Sequence, residues 1–299
     1  MGHRLWPVYG RGSNPASPDR RPWINEPGGA WRLHNDRATT PVVHAPSVDL
    51  RPLSVDSVAV DSPDPDAAAK LVSAIRAGDV EAVQLIIADA PEVASQHLGG
   101  RFQTRTPLHV VSDWPGYFPN GPQVVRLLLA AGADPNARQP GDETPLHWAA
   151  SSDDVDVAEA LIVGGADIEA PDGSIGTPLD NAIGYACWHV AGLLLAHGAR
   201  VDKLWHAAAL GTLDRLQQLL DFTEPTSEAV SQGFWHACAA GQRRAAEELL
   251  ALGADLDWQP EYAQGTALDA ARGGGTRRAN LIGWLEEQGA RPAPDNAVD

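Results

Sequence analysis

The sequence predicts an all-α solenoid of about seven helix–turn–helix repeats with short hairpin fingers, preceded by a disordered N-terminal segment. Three observations carry the repeat reading. One phrase recurs: TPLHVV from Thr106, TPLHWAA from Thr144, TPLDNAI from Thr177, KLWHAAALG from Lys203, GFWHACAAG from Gly233 and TALDAAR from Thr266. A weaker copy, KLVSAIRAG, starts at Lys70, and successive starts are 36, 38, 33, 26, 30 and 33 residues apart. Between the copies recur GADPNA, GADIEA, GARVDK and GADLDW. Self-similarity at such a period marks stacked supersecondary units.

Local chemistry justifies each element of a unit. Thr144 caps a helix through its hydroxyl, and Pro145 takes the first helical position, where a missing N–H costs nothing. Leu146, Ala149 and Ala150 then fall at i, i+3 and i+4, a stripe narrow enough for close helix contact. A second helix follows with Val157, Leu161 and Ile162 facing inward, and it ends at Gly164-Gly165, because glycine accepts the left-handed cap. ARQPGDE and APDGSIG supply turn chemistry for a finger. No unit buries its own apolar face, so the units stack.

The TPLH and GAD markers at a 33-residue period resemble the ankyrin repeat family, in the manner of a bacterial ankyrin repeat protein, over residues 66–291. The resemblance implies a non-enzymatic protein-binding module that makes contact through finger tips and the exposed face of each first helix. Carried onto this chain, those positions are Arg138, Gln139, Asp142 and Glu143; Asp172 and Ser174; Ser151 and Ser152; Tyr185; and Trp258, Glu261 and Tyr262. Thr106, His109, Thr144, His147, Thr177, His206, His236 and Thr266 are expected to be structural repeat residues, and Trp205 and Trp235, in the Leu position of TPLH, core.

Charge and proline divide the chain. Residues 1–65 hold seven arginines and seven acids, so the whole formal charge of −17 lies downstream. Ten of the 24 prolines also fall there, which separates a neutral leader from an acidic repeat region. Residues 1–46 lack any apolar period and read as a disordered Pro/Arg/Trp-rich leader, either a partner-binding tail or a flexible or misassigned start. Residues 47–65, with Val48, Leu50, Leu53, Val55, Val58 and Val60 in loose alternation, read as an extended linker or cap, and 292–299 as a flexible tail.

A net −17 argues against a nucleic-acid partner, which needs cationic surface. Two cysteines cannot staple a secreted domain of 299 residues. The longest apolar stretch, Val190 to Ala196, is far short of the roughly 20 residues of a bilayer helix, and no secretory signal is legible. The expected location is cytoplasmic, and the excess of Arg over Lys fits a GC-rich bacterial coding sequence.

Departures from the repeat point to function. Five extra residues within SDWPGYFPNGPQ enlarge the loop of the second repeat and place Trp114, Tyr117 and Phe118 on it. These aromatics read either as anchors for a partner or as a local mini-core folded over the solenoid edge. The 26-residue step from Thr177 to Lys203 removes a finger, and DFTEPTSEAVSQ replaces the next with a helical start at Thr226-Ser227-Glu228, so the groove is expected to break near residues 200–232.

The histidines of successive repeats lie about 10 Å apart by helix packing, too far to share a zinc ion, and are expected to bond backbone or Thr hydroxyls. Cys187 and Cys238 read as free buried or half-buried thiols. RGGGTRRAN, from Arg272, reads as a loop rather than a phosphate cradle, since no P-loop lysine follows. Asp153, Asp154 and Asp156 read as partners of a helix dipole. No catalytic motif, cofactor fingerprint or metal set is present in the sequence.

The expected function is therefore binding of a basic protein partner by an acidic surface, with oligomeric state left open. The alternatives are an acidic inhibitor or immunity-type protein that occludes one basic enzyme, and an enzyme with an unrecognised site.

Overall fold

The computed structural model describes residues 23–25, 31–33, 65–98, 105–139, 141–273 and 278–294. Within the segment read as a disordered leader, the described backbone is one antiparallel pair, β1 (Trp23–Asn25) with β2 (Trp31–Leu33), in the register Trp23↔Leu33. The rest of that leader and the strip of alternating valines and leucines lie outside the described residues.

Fourteen α-helices, taken in pairs, form seven units among the described residues. The first two units are α1 (Pro65–Ala77) with α2 (Val80–Asp89), and α3 (Pro107–Ser112) with α4 (Gly121–Ala130). The next two are α5 (Pro145–Ser152) with α6 (Val155–Val163), and α7 (Pro178–Gly184) with α8 (Trp188–Ala196). The last three are α9 (Leu204–Leu210) with α10 (Leu213–Phe222), α11 (Ser227–Ala240) with α12 (Arg243–Ala251), and α13 (Ala267–Arg272) with α14 (Ala279–Glu287).

The starts follow the expected chemistry. Thr106, Thr144, Thr177 and Thr266 are N-caps in extended backbone, and proline follows the first three. α6 stops at Gly164, and Gly165 takes φ +94°, the left-handed conformation that only glycine adopts without strain. α10 has no such glycine; it runs out at Phe222 into extended Thr223.

First helices stack in sequence from α1 through α13. Small residues make this close approach possible: Ala149, Ala150, Ala182, Ala207, Ala208, Ala237 and Ala271 are all fully buried. The second-helix layer runs α2, α4, α6, α8, then thins before resuming with α10 and α12. The apolar core divides at the same level. One cluster runs from Leu71 to Ala209 and the other from Ala207 to Ala290, so α9 contributes to both.

The expected break near 200–232 is thus partial. Only 197–203 separate α8 from α9, which confirms the missing finger, but first helices continue across it. The next finger is replaced by an added N-terminal turn and a half of α11, capped by Thr226, whose side chain accepts from Ala229 N. Gly233, which opens a repeat frame in the sequence, sits buried inside this helix against Leu249 and Leu204.

The remaining fingers are turns rather than β-ladders. The first closes through one antiparallel bridge, Leu98 with Arg105 (2.7 and 3.0 Å), and later ones through single bonds such as Gln139 N to Glu143 O (3.2 Å) and Gly173 N to Gly176 O (2.8 Å). Past α14 the chain lies back on the last repeat: Thr266 Oγ1 donates to Arg291 O (2.8 Å) and Ala293 N to Asp269 Oδ2 (2.8 Å). The expected flexible tail is described only as far as residue 294.

Candidate protein-interaction surface

Two histidines lock neighbouring repeats as expected. The Nδ1 of His147 accepts from Thr144 N (3.1 Å) and lies 2.9 Å from the Thr144 hydroxyl. Its Nε2 is 2.9 Å from Gly176 O, and since a carbonyl only accepts, Nε2 carries the proton. His109 repeats this with Thr106 and Glu143 O (3.0 Å). Burial lowers the pKa of His109 to about 4, so it is neutral at pH 7.

The other two depart from the expected backbone or Thr partners. Lys203 offers no hydroxyl as a cap, and His206 turns its Nε2 to Asp180 Oδ1 (2.7 Å). Lys203 Nζ donates to the same oxygen (2.5 Å). Burial alone would raise the Asp180 pKa, but His206 and Lys203 hold it at about 2. His236 places Nε2 3.0 Å from the Tyr262 hydroxyl and lies between the Trp205 and Tyr262 rings. The link to the next repeat passes instead to Trp235, whose Nε1 donates to Gly265 O (3.1 Å). Trp205 and Trp235 are buried, as their position in the phrase predicts.

The finger positions separate into displayed and buried residues. Asp142 and Asp172 stand exposed with φ +62° and +67°. Arg138 ties two fingers together by donating to Asp142 O (2.6 Å) and Pro171 O (2.9 Å), and Gln139 and Ser174 are half-buried beside it. Glu143 is not displayed. It is 6% exposed, and its carboxylate accepts from Trp148 Nε1 (3.0 Å), Ser174 Oγ (2.6 Å) and Asn181 Nδ2 (3.1 Å). An acid this buried needs every donor it has, which makes it a bracket between the third and fourth repeats.

On the first helices, Ser151 and Ser152 are half-buried and return their hydroxyls to His147 O and Trp148 O, while Tyr185 closes α7 half-buried. In the last finger Glu261 is exposed and Trp258 half-buried. Tyr262 is half-buried and engaged: its hydroxyl accepts from Gln232 Nε2 (3.0 Å), and burial raises its pKa to about 12.

The enlarged loop is part pinned and part exposed. Tyr117 is pinned to the next repeat, its N donating to Asp154 Oδ2 (2.5 Å) and its hydroxyl to Asp153 O (2.5 Å). Phe118 is half-buried, yet Trp114 remains 74% exposed. The acids of this turn do more than meet their own helix. Asp154 caps α6 through Val157 N, whereas Asp153 accepts from His189 N and Val190 N and so caps α8 of the following repeat. Only the non-local fold reveals that second role.

Cys187 and Cys238 are free and buried. Arg278 serves as N-cap of α14 and donates to Ala270 O (3.3 Å); residues 274–277 of the glycine-rich loop lie outside the described residues. Among the described residues no group of three or more His, Cys, Asp or Glu is placed to hold a metal ion, and no helix is long and apolar enough to cross a membrane.

A stack of helix pairs, two of them bracketed by Thr–His caps, with acids and aromatics displayed at its edges, defines a helical repeat scaffold. The profile of ankyrin repeats, in three copies, matches residues 117–203, so this stretch of the chain carries ankyrin repeats. It is 29% identical over 223 residues to the E3 ubiquitin-protein ligase KEG of Arabidopsis thaliana, covering 71% of this chain and 12% of that protein. It is 42% identical over 74 residues to the protein fem-1 homolog A of Bos taurus, covering 22% of this chain and 11% of that protein. The chain thus spans about an eighth or less of the length of these relatives.

Among solved structures, the ankyrin repeat domain of Bcl-3 aligns with a TM-score of 0.44 at 26% identity, over 73% of this chain and 97% of that one. Ankyrin repeats are generally protein–protein interaction modules, and such folds are typically non-enzymatic scaffolds.

Proposed function

We propose that this chain binds a protein partner of basic surface through its finger tips and the concave face of its first helices, without catalysis of its own. The observation that carries this reading is charge: all of the −17 lies downstream of residue 65, and −15 of it in residues 66–291. Asp142, Asp172 and Glu261 present part of it on exposed finger positions. Such a field steers a basic surface toward the solenoid and weakens with salt. Free buried thiols at Cys187 and Cys238 fit a reducing compartment such as the cytoplasm.

The test is affinity capture with the full chain and with a variant carrying Asp142→Ser, Asp172→Ser and Glu261→Ser. A basic protein is expected on the first and at much lower yield on the second, with affinity falling as salt rises from about 50 to 500 mM. Equal yield, or affinity flat across that range, overturns the reading.

A further inference from the structure

The turns that join first to second helices form a row along the edge opposite the fingers. Across the second to fourth repeats that row carries exposed aromatics in the second and fourth and acids in the third between them. Trp114 is 74% exposed, Tyr117 59% and Trp188 36%. The other exposed large apolar residues, Leu85, Val163, Phe222 and Leu252, are scattered on or just past second helices. Isolated exposed residues are ordinary on any protein surface, but several gathered along one edge and joined through a shared acidic turn make a candidate binding feature.

The row is held rigid from turn to turn. Asn120 Nδ2 donates to Gly78 O (2.9 Å), tying the enlarged loop to the first repeat. Tyr117 bonds the Asp153–Asp154 turn, and a side chain at Gly116 would place its first carbon 3.1 Å from Ser152 Cβ. Asp153 then receives His189 Nδ1 (2.6 Å) together with the backbone at 189 and 190, next to Trp188. Fixed rings lose little conformational freedom when something docks on them.

The field along the row is negative. The Tyr117 phenol is pushed above its ordinary range by burial and then by Asp153, Asp154 and Asp156. Arg105 is engaged with Asp113 (2.7 Å) and His189 with Asp153, while Asp156 is exposed with no ion pair among the described residues. A planar, weakly hydrated cation suits indole faces beside carboxylates better than a compact ammonium does.

We propose that this edge docks an arginine-bearing segment of the partner, the guanidinium stacking on Trp114 or Trp188 and bonding the Asp156 carboxylate. This rests on the reading of the chain as a platform for a basic protein, and adds a second surface to it, with arginine as its preferred group.

The probe is a labelled, capped peptide of alternating Gly and Arg, compared with its lysine and citrulline counterparts by fluorescence anisotropy against the full chain. The arginine peptide is expected to bind several-fold tighter than the lysine peptide, and the citrulline peptide weakest. Trp114→Ala and Trp188→Ala each weaken it roughly two- to fivefold and together about tenfold. Asp156→Asn weakens it further, and Phe222→Ala, an exposed ring outside both surfaces, leaves it unchanged.

If the double variant keeps the wild-type circular dichroism and melting temperature yet binds equally well, the assignment is wrong. Equal binding of the citrulline peptide also overturns it. So does tighter peptide binding after Arg20→Ser with Arg21→Ser, which would make the chain's own leader the occupant. A dimer of the wild type that dissociates on Trp114→Ala would assign the strip to a second copy. Finger variants leave the peptide assay unmoved, so failure there and failure here are told apart.

Discussion

Asp180→Asn tests how the fourth and fifth repeats hold together without a finger between them. The carboxylate is fully buried and divides its oxygens: Oδ1 takes Lys203 and His206, and Oδ2 takes Thr177 N (2.6 Å) and Thr177 Oγ1 (2.9 Å). Its pKa falls from 3.8 to about 2. A depression of nearly two units corresponds to roughly 2–3 kcal/mol of stability when the group is ionised in both states. Because the folded pKa lies below the unfolded one, that contribution is complete above about pH 5 and lost as pH falls toward 2.

Urea denaturation followed by circular dichroism should therefore find Asp180→Asn less stable by roughly 2–3 kcal/mol at pH 7. The gap to the wild type should shrink to about half by pH 3, where the unfolded-state carboxyl is already mostly protonated. A gap below about 0.5 kcal/mol at pH 7, or one that stays constant down to pH 3, would refute the reasoning. Lys203→Met should cost under about 1 kcal/mol, since its side chain is 41% exposed and water screens the pair.

Buried neutral histidines give a second pH signature. The pKa of His236 is lowered to about 3 by burial and then by His206, so protonation is favoured in the unfolded chain. The melting temperature should fall as pH drops below about 6.5, and His236→Phe, which keeps the ring stack, should flatten that fall. Burial raises the Cys187 thiol to about 12 and the Cys238 thiol higher still. A thiol-specific chromogenic reagent should label neither in the native protein and both in urea. Gly78→Ala should destabilise by about 2 kcal/mol or more in thermal melts. Its backbone has φ +66°, and an added Cβ would come 2.1 Å from Pro119 O.

Much of the fold was legible because repeat chemistry is local. Thr–Pro starts, a helical start at Thr226 and the lost finger before Lys203 all depend on residues close in sequence, and each stands where the pattern puts it. The surface was less legible. Glu143 looks like a finger tip, yet its carboxylate meets Ser174 and Asn181, 31 and 38 residues away. Asp153 looks like an acid at the head of its own helix, but it caps the helix of the next repeat, 36 residues on. Trp235 passes for a core residue and is also the donor that replaces a repeat histidine. Short-range patterns specify a unit; the bonds that join units come from stacking, which brings distant residues together.

The shared helix α9 governs how the chain comes apart. In a one-dimensional stack each unit leans only on its neighbours, so cooperativity passes through interfaces one at a time. Here the two apolar clusters meet at α9, which packs closely on α11 but only lightly on α7, and the second-helix layer is thin beside it. Opening under load or heat is expected to begin at the contact between α7 and α9. The first four repeats and the last three are then expected to part as two blocks, with the seven-residue α9 going with α11.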